Sequence, residues 1–159
     1  MRSFALKRCS WVPLARDCFV RGGWLPMLVL LIHSVGVRCF DAYDRWPAFD
    51  LPMHFGGGIA IAFFFLRSAD VFTARRLISP LDSAVLAVLV FALTAAAAVH
   101  WEFMEWFVDA RFGAGMQMGL NDTLVDMLLG VVGGLLLLAL WMPGHIRTRG
   151  RKTMTRRQA

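Results

Sequence analysis

The sequence predicts an all-α, polytopic membrane protein, a bundle of four transmembrane helices with both termini in the cytoplasm. Hydrophobic residues make up 58% of the 159 residues, an excess over the roughly half that is usual in soluble domains. Four apolar stretches approach the ~20 residues that a helix needs to cross a bilayer. Basic residues collect at the termini and in one loop beside those stretches. Together these features indicate a single membrane domain over residues 1–159.

The four predicted helices follow the apolar stretches. They cover about residues 24–40, 51–72, 83–108 and 123–142, and basic tails flank them at 1–22 and 144–159. The first is read as a retained helix, because no small-x-small cleavage site follows it. The second begins at Asp50 and the third after Asp82, both predicted to be N-terminal caps. The fourth begins at an approximate capping box, Asn121-Asp122-Thr123 with Asp126, and is predicted to end at Pro143-Gly144.

The distribution of Lys and Arg orients these helices. Fourteen of the 17 basic residues fall in the two tails and in the loop after the second helix. Only Arg38, Arg45 and Arg111 fall on the other side. The positive-inside rule then predicts a bacterial inner-membrane protein with cytoplasmic termini. The net charge of +6 is therefore explained by topology and contact with anionic membrane lipids, not by a nucleic-acid partner.

Acidic residues show the opposite bias, and several of them share one depth with a histidine. His54 lies near the start of the second helix, Glu102 and Glu105 near the end of the third, and Asp126 near the start of the fourth. A carboxylate at the centre of a bilayer costs roughly 2.5 to 3.5 kcal/mol on insertion scales, and less near the interface. Several together repel, so they must share protons, pair with cations or bind a metal. The sequence predicts a divalent metal held by these four residues, with Mg²⁺, Mn²⁺, Fe²⁺ and Zn²⁺ left open.

Two further carboxylates at the same end are candidate catalytic residues. Asp109 and Asp122 are predicted to act as a base or to orient a metal ligand, although Asp122 equally fits a helix cap and Asp109 a solvated helix end. Arg45 or Arg111 is a candidate for holding an anionic head group. The other membrane histidines, His33 and His100, are assigned to helix packing.

Short motifs of this end of the protein also carry a family resemblance. They are Tyr43-Asp44, His54-Phe55 with Gly57 and Gly58, Trp101-Glu102-x-x-Glu105, and Asp122-Thr123-x-x-Asp126 with Gly130. The pattern resembles the YjdF-type bacterial inner-membrane proteins and, more distantly, the VanZ-like family, over roughly residues 43–135. The resemblance implies that the polar positions form a site, and it implies no particular reaction.

Three classes of function remain open from the sequence. The leading hypothesis is a metal-dependent enzyme acting on a lipid or lipid-linked substrate from the outer leaflet, with phospholipid hydrolysis as the reaction class. The second is a component of ion- or proton-coupled transport, since membrane carboxylates recur in ion pathways. The third is an accessory or assembly protein, or an oligomer, that associates through the glycine-rich faces of the second and fourth helices.

Overall fold

The structure, a computed structural model, describes the backbone of residues 11–157 and the side chains of residues 11–142, and the described part is helical without β-strands. Its elements are α1 (Trp11–Cys18), a π-helical turn (Phe19–Gly23), α2 (Trp24–Phe40), α3 (Ala42–Arg45), a 3₁₀ turn (Pro47–Phe49), α4 (Asp50–Ala74), α5 (Ser83–Phe112) and α6 (Leu120–Arg157). Four helical segments are long and apolar enough to cross a membrane: Trp11–Phe40, Pro47–Ala74, Ser83–Phe112 and Leu120–Met142. This confirms the predicted all-α architecture with four spanning helices.

The first helical segment begins earlier than the sequence predicts. Residues 1–10 of the predicted basic tail 1–22 lie outside the described residues, and residues 11–22 form α1 and most of the π-helical turn. The reason is tertiary, because Leu14 and Cys18 are buried against Val71 of α4. An ion pair adds to this contact, with Arg75 Nε donating to Asp17 Oδ2 at 3.0 Å.

The last helix ends later than predicted. Its backbone remains helical to Arg157, so Pro143-Gly144 does not end it and the predicted tail from residue 144 is helical over most of its length. A proline inside a helix removes one backbone hydrogen bond and commonly kinks the helix without ending it. The prediction that Pro143-Gly144 ends the helix is therefore wrong, because α6 continues past this proline.

Glycines bring α4 and α6 into backbone contact. A Cβ atom added at Gly58 would overlap the carbonyl of Gly130, and one at Gly133 would overlap the carbonyl of Phe55. Small residues at such positions let two membrane helices approach closely. Gly58, Gly130 and Gly133, which belong to the glycine-rich faces predicted for association with another chain, are therefore engaged within this chain.

This packing predicts a position-specific loss of stability. Gly58→Ala is expected to destabilise the protein by about 1–3 kcal/mol or more, because α4 and α6 must separate to admit the new methyl group. Gly56→Ala is the matched control, since a Cβ there meets nothing within 4 Å. Thermal unfolding in detergent measures both. Equal unfolding temperatures for the two variants would contradict the close helix contact.

The helix starts show which acidic residues cap a helix and which do not. Asp82 is a cap as predicted, with Oδ1 accepting from the amide of Ala84 at 2.8 Å. Asp50 is not, because α4 is preceded by Phe49 and no side chain caps it. Asp126 is not part of a capping box either, since α6 already begins at Leu120 and buried Oδ1 of Asp126 makes no hydrogen bond. The buried carboxylates therefore serve something other than helix ends.

The interior has an apolar half and a polar half. The apolar core cluster is formed by Ala62, Leu66, Leu86, Val90 and Leu138. The buried acidic residues lie towards the other end of the same helices, near the starts of α4 and α6 and the end of α5. Hydrophobic packing of one half thus holds three polar helix ends together in the other.

Candidate functional site

Five buried or nearly buried polar side chains meet where α4, α5 and α6 converge, and we call them the acidic–His cluster. The members are Asp50, His54, Glu102, Glu105 and Asp126. Each of the four carboxylic residues is at most 8% exposed. Four such groups around one imidazole cannot all be ionised in this setting without a compensating charge.

His54 is the centre of the cluster. Its Nε2 lies 3.4 Å from Asp50 Oδ1 and 3.9 Å from Asp126 Oδ2. Its Nδ1 lies 3.8 Å from Glu102 Oε1. The two ring nitrogens therefore face different carboxylates, which come from different helices.

The cluster divides into two overlapping groups that share His54. Ligand atoms of His54, Glu102 and Glu105 lie within 4.8 Å of one another, and so do those of Asp50, His54 and Asp126. The structure thus brings together three of the four predicted ligands in one group and places Asp126 in the other. Asp50, predicted to be a helix cap, belongs to the second group instead. Its spacing of four residues from His54 was the signal that could have included it.

A hydrogen-bonded chain outside the cluster orients Asp50. Tyr43 donates its hydroxyl proton to Asp50 Oδ1 at 2.6 Å, and His33 Nε2 lies 3.0 Å from the same hydroxyl. Because the phenol has only one proton, its oxygen accepts from His33, which therefore carries a proton on Nε2. The Phe49 ring packs against both aromatic partners.

Tyr43 is suited to remain a donor in this chain. Burial and its hydrogen bond to Asp50 raise the pKa of the Tyr43 phenol well above its ordinary value. The hydroxyl consequently stays protonated at any physiological pH. The sequence pattern indicates only packing for His33 and a family motif for Tyr43, since a contact between α2 and the segment after it has no spacing signature.

Two members of the cluster have buried oxygens without hydrogen bonds. In Glu102 the two carboxylate oxygens, Oε1 and Oε2, are buried in this way, and in Asp126 the oxygen Oδ1 is. The side chains of Gln117 and Thr123 lie near Glu102 without forming well-aligned bonds to it. Glu105 differs, because its Oε1 accepts from Trp101 Nε1 at 2.7 Å. A buried, unpartnered carboxylate loses its hydration without compensation, so these atoms are placed to take a proton or to bind a cation.

The two predicted catalytic residues lie outside this group and hold a loop. Asp109 accepts from the amides of Met116 and Gln117, both at 2.8 Å. Asp122 accepts from the amide of Met118 at 3.1 Å. The same loop contacts the cluster region, since Gln117 Nε2 donates to the backbone carbonyl of Glu102 at 3.2 Å. Their carboxylates therefore fix the connection between α5 and α6 above the site.

A cavity of about 150 Å³ adjoins the cluster between α2, α4 and α5. Its polar lining consists of His33, Asp50, His54, Thr94, Trp101 and Glu105, and the remaining lining residues are Pro26, Val29, Leu30, Met53, Gly57, Gly58, Ile61, Ala97, Ala98 and Gly130. The acidic–His cluster thus opens onto an apolar space within the helix bundle.

Comparison with known proteins places the chain in a family. The family described as "Predicted membrane protein (DUF2238)" matches residues 23–147, which is most of the chain and includes every element of the cluster. The chain belongs to this family. The DUF2238 match agrees with the YjdF-type resemblance, while the VanZ-like resemblance stays a prediction.

A relative of this DUF2238 chain is longer than the chain itself. An "Uncharacterized protein" of Thermotoga maritima is 28% identical over 106 residues, which cover 65% of this chain and 53% of the relative. The chain therefore spans about half the length of that relative. No solved structure matches. Family and structure together support a multi-pass membrane protein.

Proposed function

We propose that this protein is a metal-dependent hydrolase of phosphate-bearing lipids, with its site in the outer leaflet of the bacterial inner membrane and its termini in the cytoplasm. One observation carries the proposal. Both oxygens of the Glu102 carboxylate are buried without a hydrogen bond, and one of them faces Nδ1 of His54. A divalent ion held by His54, Glu102 and Glu105 gives these atoms their partner.

The protonation of His54 follows from its neighbours. Asp50 already accepts from Tyr43 and is 3.4 Å from Nε2 of His54, so Nε2 is the nitrogen placed to carry a proton towards a carboxylate. In the neutral imidazole Nδ1 is then a lone pair that faces the acceptor oxygen of Glu102. Two acceptors facing each other repel, and a cation between them turns the repulsion into two bonds. Histidine ligands of metals commonly donate their other N–H to a carboxylate in this way.

The distances fit such an ion. The 3.8 Å separation of Nδ1 and Glu102 Oε1 is too long for a hydrogen bond. It is short enough for one divalent ion to be held by both atoms, since such ions bind nitrogen and oxygen ligands at about 2.1 Å. One imidazole with two carboxylates suits Mn²⁺, Fe²⁺ or Zn²⁺, and leaves coordination positions for water and substrate. Asp126, the fourth metal ligand that the sequence predicts, lies on the other side of the ring, with Oδ2 3.9 Å from His54 Nε2.

The proposed reaction is hydrolysis of a phosphate ester. His54, Glu102 and Glu105 would hold a divalent ion, which when bound would supply a positive charge for a phosphoryl oxygen and make a nearby water more acidic. Asp126, whose Oδ1 is buried without a partner, takes the proton from the attacking water. The water oxygen bonds to phosphorus, the bond from phosphorus to the lipid oxygen breaks, and Asp126 returns the proton to that oxygen. The products are inorganic phosphate and the lipid alcohol. Arg45 and Arg111, both exposed and basic, are candidates to hold the anionic head group.

Vesicles containing phosphatidic acid test the reaction. Protein reconstituted into them with Mn²⁺ or Zn²⁺ is expected to release inorganic phosphate, and Glu102→Gln is expected to lower the rate by more than the ~100-fold that loss of an outer partner costs. Asp44→Asn is the control, because Asp44 is an exposed carboxylate of α3 outside the cluster. A metal-loaded protein that releases no phosphate from phosphatidic acid or from a polyprenyl phosphate would refute the reaction and leave the metal site standing.

Ion- or proton-coupled transport has weaker support. Among the residues that line the cavity, the ionisable ones lie at one end, and Thr94 is the polar side chain farther along α5. Its hydroxyl donates to the carbonyl of Val90 at 2.8 Å and so is already used. Cation or proton flux in liposomes that Glu102→Gln abolishes would favour transport over hydrolysis.

The hydrogen bonds from His33 through Tyr43 to Asp50 predict a partial loss of metal affinity when they are broken. Tyr43→Phe removes the donor that orients Asp50 but leaves every proposed ligand, so metal affinity is expected to fall by roughly 10- to 100-fold with unchanged stoichiometry. Metal titration followed by calorimetry measures both quantities. Trp46→Phe, a change at an exposed aromatic residue of the same segment, serves as the control. Unchanged metal affinity in Tyr43→Phe would show that the hydrogen bonds from His33 through Tyr43 to Asp50 do not support the metal site.

A further inference from the structure

We propose that the cavity beside the acidic–His cluster binds one hydrocarbon chain of a membrane lipid, which reaches it from the bilayer between α2 and α5. This inference deepens the proposed function, and only its placement of the lipid head group rests on that function. The chain site itself depends only on the shape and lining of the cavity.

The lining has the polarity of an amphiphile. His33, Asp50, His54 and Glu105 lie at the polar end of the cavity. Away from them, the wall is formed by apolar residues of three helices: Pro26, Val29 and Leu30 of α2, Ile61 of α4, and Ala97 and Ala98 of α5. A lipid with its head group at the cluster would place its first chain carbons against this wall.

The size selects a single chain. At about 150 Å³ the cavity holds a hydrocarbon segment of about the size of benzene. The part of the cavity away from its polar lining residues offers water few hydrogen-bond partners, and its apolar walls lose dispersion contacts when nothing fills it. In a bilayer, an alkyl chain is the abundant apolar group that can restore those contacts.

Small residues keep the space open without being needed for helix packing. A Cβ added at Gly57 would meet nothing within 4 Å, whereas at the next residue, Gly58, it would overlap α6. Gly58 is therefore explained by close approach of two helices, and Gly57 is not. Gly57 lines the cavity together with Ala97 and Ala98, and larger side chains at these positions would reduce its volume.

The gap between α2 and α5 provides access from the lipid. α2 packs against α4, and α5 packs against α4 and α6, so the two helices on either side of the cavity are not packed closely on each other. The lining residues Leu30 and Ala98 are followed in sequence by exposed apolar residues, Leu31 on α2 and Val99 on α5. A chain can therefore enter sideways without crossing a polar surface.

Photo-crosslinking in vesicles tests the inference. The protein is reconstituted into phosphatidylcholine vesicles that contain a trace of phosphatidic acid with a diazirine within one acyl chain, and labelled residues are mapped by mass spectrometry. Gly57→Leu is compared with Gly56→Leu, because both glycines have open space at Cβ and only Gly57 lines the cavity. Val88 and Leu89, exposed apolar residues of α5, report labelling by bulk lipid.

We expect labels on Leu30, Ile61 and Ala97 in the wild type and in Gly56→Leu, reduced at least several-fold in Gly57→Leu, with Val88 and Leu89 labelled equally in all three. Absence of cavity labels in the wild type, or equal cavity labels in Gly57→Leu, would overturn the chain site. Metal content of the same samples is measured separately. Bound metal without cavity labels would refute the chain site alone, and cavity labels without metal would refute the metal site alone.

Discussion

Glu102→Gln is expected to stabilise the metal-free protein and to abolish its stabilisation by divalent metal. In the metal-free state Glu102 is a buried carboxylate without hydrogen bonds that faces an acceptor nitrogen of His54. The glutamine amide has nearly the same shape, carries no charge and can donate to that nitrogen. Removing such an unpaired buried charge is expected to gain about 1–3 kcal/mol of unfolding free energy.

With metal present the order is expected to reverse, because the ion stabilises the wild type and not the variant. In the wild type, an ion at 100 times its Kd is expected to add about 2.7 kcal/mol to the stability of the folded state, while Glu102→Gln should gain almost nothing. Thermal unfolding in detergent, with and without a chelator, measures both effects. Asp44→Asn is the control, because it removes an exposed charge on the same side of the membrane. A destabilised metal-free Glu102→Gln protein would mean that the carboxylate has a structural partner instead.

His54→Ala is expected to cause the largest loss of metal affinity. His54 is shared by both groups of potential ligands, so its removal disables either placement of an ion around the ring. We expect the Kd to rise by more than the ~100-fold upper range for outer partners, since an inner ligand is lost. The metal-free variant also loses the one imidazole that separates four carboxylates, so it should unfold more readily as pH rises and those groups ionise.

His100→Ala is the matched control for this variant. His100 lies on the same helix as Glu102 but is exposed, and its Nδ1 is paired with the backbone carbonyl of Ala96 at 2.7 Å. It should bind metal as the wild type does. Metal titration of both variants, together with unfolding curves from pH 5 to 9, measures the difference. Equal affinities in His54→Ala and His100→Ala would contradict a central role for His54.

The number of membrane-spanning helices followed from hydropathy, because apolar length is what a bilayer demands. The first and last boundaries did not. Whether Trp11 begins a helix depends on burial of Leu14 and Cys18 against α4, a contact remote in sequence. Whether Pro143 ends a helix depends on the balance between one lost hydrogen bond and the rest of the helix.

The cluster could be predicted in its composition but not in its grouping. Spacings of three and four residues identified one face of each helix, and the structure places ligand atoms of His54, Glu102 and Glu105 within 4.8 Å of one another. Asp50 was misassigned because an acidic residue at a helix start is usually a cap. The support from His33 and Tyr43 and the cavity beside Gly57 arise from the rotation and spacing of helices, which local patterns do not encode.

Elemental analysis of the purified protein, after reloading with Mn²⁺ or Zn²⁺ and removal of free ion, tests the central claim most directly. The measurement covers the wild type, His54→Ala, Glu102→Gln and the Asp44→Asn control. The account predicts about one bound ion per chain in the wild type and the control, and little in the other two. A metal-free wild type, or equal metal in all four proteins, would contradict the site at the acidic–His cluster.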